Sequence, residues 1–178
     1  MARSTENVTR NGNKLALKMH ATHNDMPQKT REKMTDLLNA RLADCSDLAS
    51  QARTAHWNVK GPQFIALHKL FDEVYESLGE QMDLLAERCV QLGGTAKGTA
   101  RSAAQHSQIE EYPLDIFTCE DHVRELSKRL ATYTKLVRDA IDEAEEAEDM
   151  GTSDMFTAMV QELDKWLWMV EAHIQESR

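Results

Sequence analysis

The chain has 178 residues, a formal net charge of −9, and only seven Gly and three Pro. This length suits one domain with a real core, the acidity argues against a uniformly DNA-binding surface, and no stretch reaches the apolar length of a membrane span. Three cysteines, Cys45, Cys89 and Cys119, have no motif spacing; Cys45 and Cys89 fall on apolar stripes and point to buried thiols in a reducing compartment, by default the cytoplasm, while Cys119, near a helix start, has a reactive thiol as its alternative.

Residues 1–26 are polar, without periodicity, and read as a flexible basic arm. Within residues 1–20, Arg3, Arg10, Lys14 and Lys18 stand against Glu6 alone, a balance of +3 that leaves −12 for the rest. Pro27 suits the first position of a helix. Met34, Leu37, Leu38, Leu42, Cys45, Leu48, Ala49 and Ala52 carry a helical period, ending near Asn58 to Gly61. A second helix is predicted from Pro62 to Leu92, with Phe64, Leu67, Phe71, Val74, Leu78, Leu85, Cys89 and Leu92 inward and Gly93–Gly94 as its stop. Residues 95–115 are long for a loop, so they hold a short helix or form a crossover. Thr118 to Asp121 fits a capping box opening a third long helix, whose stripe runs from Val123 to Ile141 and passes into the acidic run from Asp142 to Asp149. Gly151, Thr152 and Ser153 are predicted to break the chain and cap a fourth, whose core positions run from Met155 to Ile174. The fold class is all-α, with four long helices predicted across residues 27–178.

The second helix carries His68, Asp72, Asp83 and Glu87. At about 100° per residue they fall at roughly 0, 40, 60 and 100° around its axis, on one face. His68/Asp72 and Asp83/Glu87 are i, i+4 pairs, each able to converge on one ion. Imidazole with carboxylate is a ligand set for iron, zinc or manganese. Asp72 and Asp83 are separated by about 16 Å of helix, too far to share one metal. Each pair is therefore half a site, and an antiparallel second copy across a two-fold axis would supply the other half. The midpoint lies near Ser77, Leu78 and Gly79. A short loop would bring His56, with Trp57 beside it, close to His68. The bland alternative is a solvated charged helix face.

The run Ala55 to His68 (AHWNVKGPQFIALH), Asp72, and Asp83 to Gly94 (DLLAERCVQLGG) resemble Dps, the DNA-binding proteins of starved bacterial cells. Tyr112 to Ile116 and Leu163 to Trp168 resemble later blocks of that family, so the likeness covers about residues 28–175. The resemblance implies a ferritin-like four-helix subunit with a short helix in its middle crossover, assembled as a hollow homo-dodecamer. It implies di-iron ferroxidase sites shared between two-fold-related subunits: His56, His68 and Asp72 from one chain, Asp83 and Glu87 from its mate. Iron and hydrogen peroxide would be the substrates, with zinc a stand-in for iron. Trp57 matches a site-adjacent tryptophan that takes up stray oxidising equivalents, with plain packing as the competing role. The basic arm resembles arms that bind DNA without sequence preference. The acidic run and Asp154 fall where relatives line iron-admitting pores, with Asp149 and Asp154 the chosen candidates.

Competing readings predict different residues. A ferritin or bacterioferritin would carry Glu-x-x-His on two helices, and that spacing occurs nowhere here. A DNA-compacting shell without ferroxidase activity would not need the five ligand positions. A zinc-binding shell would keep them, since these donors also suit zinc.

Overall fold

The computed structural model describes residues 19–175, which form five helices: α1 (Gln28–Asn58), α2 (Phe64–Gln91), α3 (Ala100–His106), α4 (Cys119–Glu146) and α5 (Met150–Glu171). The four long helices are the predicted ones, and α3 is the short helix of the crossover. The basic residues Arg3, Arg10, Lys14 and Lys18 lie outside the described residues. No helix among the described residues is long and apolar enough to cross a membrane.

The apolar stripes decide the packing. α1 lies against α2 and α4 against α5, and the two hairpins close on a core in which Met34, Leu38, Leu48, Leu67, Phe71, Leu126, Leu130, Tyr133 and Phe156 are fully buried. Burial of this kind stabilises by roughly 1.5–3 kcal/mol per large apolar side chain. The start of α4 lies beside the start of α2, where Lys60 N–H donates to the Phe117 carbonyl at 3.0 Å. The two helices therefore run in the same direction, and the chain must travel back along the whole of α2, about 42 Å, before α4 can begin. That return explains the length of residues 95–115. Thr99 caps α3, its hydroxyl accepting from Ser102 N–H at 3.3 Å. Buried Arg129 holds the rest of the crossover through the Glu110 and Glu111 carbonyls.

Two boundaries differ from the sequence reading. α2 starts at Phe64 rather than Pro62, because Gly61 takes φ +132°, open to glycine, and a Cβ there would stand 3.1 Å from Cys119 Sγ. α5 starts at Met150, ahead of the predicted break at Gly151, Thr152 and Ser153. The chain turns instead at Glu148, with φ 60°, and Asp149 caps the helix by accepting from Thr152 N–H at 3.0 Å. An aspartate acceptor at this position satisfies a free helix-start donor as Ser153 would have done. The predicted capping residue of α4 is in place, with Thr118 Oγ1 accepting from Asp121 N–H at 3.1 Å.

Cys45, Cys89 and Cys119 are free and buried. Burial pushes the Cys45 thiol up to about 12, so it stays protonated and inert. Burial likewise raises Asp44 despite its 3.0 Å ion pair with Arg41.

Candidate metal centre

The last turns of α1 and the first turns of α2 bring His56 and His68 face to face. Their rings stack with centroids 3.7 Å apart and planes 21° from parallel. The five residues between the helices make this approach inevitable, and two reciprocal hydrogen bonds fix it. His56 Nδ1–H donates to the His68 carbonyl at 2.6 Å, and His68 Nδ1–H donates to the His56 carbonyl at 2.8 Å. A carbonyl can only accept, so each neutral imidazole carries its proton on Nδ1 and keeps a lone pair on Nε2. This is how a protein prepares a histidine for a metal: the distal nitrogen is anchored and the proximal one left basic. His56 is buried and His68 half-buried.

Asp72 is one turn beyond His68 and 3.9 Å from His56 Nδ1. Its carboxylate already has a partner, the Arg53 guanidinium. Arg53 lies on α1 three residues before His56, over the Tyr75 ring at 4.7 Å and near the Trp57 ring at 5.8 Å. The sequence reading missed Arg53 and Tyr75. The i, i+3 spacing of Arg53 and His56 was the available signal, since it puts both on the side of α1 that meets Asp72. Trp57 is 67% exposed, so it is not part of this chain's core.

The other end of α2 is different. Asp83 and Glu87 are exposed, and neither takes part in an ion pair or side-chain hydrogen bond among the described residues. No three His, Cys, Asp or Glu side chains among the described residues cluster as a metal set. The single chain thus presents two separated groups of candidate donors, His56, His68 and Asp72 where α1 meets α2, and Asp83 and Glu87 toward the far end of α2. Between them, Ser77 is turned inward and accepts from Trp166 Nε1–H at 2.9 Å, while Gly79 meets open space.

The acidic turn between α4 and α5 separates the two carboxylates proposed for a pore. Asp154 is exposed. Asp149 is 2% exposed and fully engaged: besides capping α5, it accepts from Arg88 at 2.7 Å and from the Thr152 hydroxyl at 2.5 Å. In this chain Asp149 is a structural tie, not a channel-facing acid. The adjacent residue, Arg88, follows Glu87 directly and also donates to Thr152 Oγ1 at 3.0 Å. Gly151 leaves room for it, since a Cβ there would stand 3.1 Å from the guanidinium. Of the remaining histidines, His122 is fully buried and hydrogen-bonded at 2.8 Å to Tyr112.

Comparison with known proteins decides the family. A family model for the ferritin-like domain matches residues 35–178. The DNA protection during starvation protein of Agrobacterium fabrum is 44% identical over 160 residues, spanning 90% of this chain and 99% of the relative. The chain belongs to the Dps branch of the ferritin-like family. Solved Dps structures agree. Mycobacterium smegmatis Dps superposes with a TM-score of 0.85 at 28% identity, covering 90% of this chain and 91% of that one. Dps of Vibrio cholerae O1 superposes with a TM-score of 0.81 at 26% identity, covering 89% and 99%, and is described as a member of a superfamily of ferritin-like diiron-carboxylate proteins. Nitrogen and carboxylate donors are the right chemistry for such a centre.

Proposed function

We propose that this Dps-family chain is a ferroxidase subunit that oxidises Fe(II) at sites shared between two copies and stores Fe(III) inside a dodecameric shell, protecting DNA in the bacterial cytoplasm. The observation that carries this reading is the pair of imidazoles with Nδ1 anchored and Nε2 free, beside Asp72, on the helix whose far end bears Asp83 and Glu87. Residues of one chain cannot close a site across that length of helix. Two antiparallel copies of α2 would complete both sites at once.

Iron is the substrate. His56, His68 and Asp72 bind it from one chain, with Asp83 and Glu87 from the mate. The five donors include three carboxylates, which favour the more highly charged product ion and so assist loss of an electron. Two Fe(II) supply one electron each. Hydrogen peroxide takes both electrons with two protons and leaves as two waters, so no one-electron cleavage releases a hydroxyl radical. Zn(II) fits the same donors but has no electron to give. Asp154 in the first turns of α5 and the exposed carboxylates at the end of α4 draw cations toward the shell. DNA contact belongs to Arg3, Arg10, Lys14 and Lys18, whose weak individual attraction to phosphates would be multiplied over many arms.

The test is stopped-flow oxidation of Fe(II) by peroxide. Asp72→Ala and Glu87→Ala each slow it by about 100-fold or more, on the scale of removing a group that acts on the reacting ion. Unchanged rates in both variants reject the site.

A further inference from the structure

Among the described residues, Arg53 is the one cation ion-paired with the proposed ligand set of its own chain, and nothing in the ferroxidase reading uses it. The geometry points to a second role for the site: Arg53 is a resident counter-ion that occupies Asp72 in the metal-free protein and must be displaced before metal takes that carboxylate. This rests on the ferroxidase reading and specifies how its site fills.

Guanidinium stays protonated at any physiological pH, so Arg53 cannot yield by losing a proton; it can only move. It also has somewhere to go. The Tyr75 ring at 4.7 Å and the Trp57 ring at 5.8 Å offer aromatic faces to a cation that has left the carboxylate. Both partners are part-exposed, Arg53 at 32% and Asp72 at 39% of the side chain. A pair this accessible is held weakly and exchanges readily. A divalent ion outcompetes it, but at a cost in affinity that the imidazole-bound ion does not bear. His56 and His68 have no such competitor, because their Nδ1 atoms are engaged and their Nε2 atoms are not. The site therefore fills in two unequal steps: a tight one on the imidazoles, then a weaker one that expels Arg53 from Asp72.

The experiment uses redox-inert Zn(II) with the assembled full-length protein. Titration calorimetry at low salt is expected to resolve a tight and a weak step in the wild type. In Arg53→Gln the weak step tightens about tenfold, while Arg53→Lys, which keeps a cation, stays within about threefold of wild type. Arg53→Gln also lowers the unfolding temperature of the metal-free protein by stranding Asp72, yet matches or exceeds wild type when zinc is saturating. Loss of a merely structural arginine would lower both. In the wild type, the weak step changes Trp57 emission, and Trp57→Phe abolishes the change, so the displacement is readable even if Arg53→Gln does not assemble. Weak-step affinity in Arg53→Gln that is unchanged or reduced overturns the proposal, as does Trp57 emission indifferent to zinc. Zinc binding that ignores Asp72→Asn rejects the metal site itself; normal Asp72-dependent binding with no Arg53 effect rejects only the counter-ion role.

Discussion

The two ends of α2 carry comparable ligand types in unlike settings. At the first end, the histidines are locked by backbone carbonyls and Asp72 is neutralised by Arg53. At the second, Asp83 and Glu87 stand exposed, one turn apart, with like charges that repel by a few tenths of a kcal/mol. One half is finished within the chain and the other is unfinished. The lesson is that preorganisation and incompleteness can share a helix. On the proposed shared-site reading, the finished half would fix the geometry, and the unfinished half would tie function to association, because those carboxylates would gain a context only when a mate arrives.

The strongest way to break this comparison is complementation. Asp72→Ala and Glu87→Ala subunits, each inactive alone, are mixed from the unfolded state and reassembled. If each site draws one half from each chain, a mixed pair holds one doubly damaged site and one intact site. Random pairing then restores about a quarter of wild-type peroxide-driven Fe(II) oxidation. No recovery in verified mixed assemblies would mean the halves do not meet across chains.

A second test strikes the anchor of the unfinished end. Asp149→Ala removes the cap of α5 and leaves Arg88 unpaired, so it costs about 3 kcal/mol in guanidinium unfolding. Asp154→Ala, exposed on the same helix, stays within about 0.5 kcal/mol. Equal effects would remove the distinction drawn between these acids.

Stability of the metal-free chain sharpens the contrast further. His68→Ala gives up the hydrogen bond to the His56 carbonyl and the stacking on the His56 ring, and loses about 1–2 kcal/mol. Glu87→Gln gives up none among the described residues, relieves repulsion, and is neutral or slightly stabilising.

The smallest effect is one of pH. Burial holds His122 below its ordinary value, against the opposing influence of the Asp121 charge and the Asn58 and Ile116 carbonyls. Below about pH 6.5 the unfolded chain takes up a proton that folded His122 refuses. Its contribution is therefore intact above that pH and shrinks as pH falls toward the folded value. Hydrogen exchange should show the α1–α2 loop and the segment around Tyr112 loosening before the α4–α5 turn does. His122→Gln flattens that dependence.

Most of the bundle was legible because its signals are local. Helical periods gave four long helices, Thr118 its cap, and the excess length of residues 95–115 the crossover. The separation of Asp72 from Asp83 needed only the rise of a helix. What escaped depended on partners distant in sequence. Asp149 was chosen as a pore-lining acid, since nothing near it in sequence showed that Arg88, 61 residues away, would engage it. The start of α5 was misplaced for the same reason: glycine and serine looked like the break, whereas Gly151 is small to admit that guanidinium. Arg53 was overlooked because a search for metal donors passes over cations.

The three cysteines carry a practical consequence. All are enclosed, and none is joined to another. A thiol-reactive dye or cross-linker offered to the folded chain would find no native target among them. One cysteine placed on the exposed side of α2, at Glu80 for instance, would become a unique handle without first stripping the natural three. The distance between two such handles would then report how neighbouring copies lie against each other.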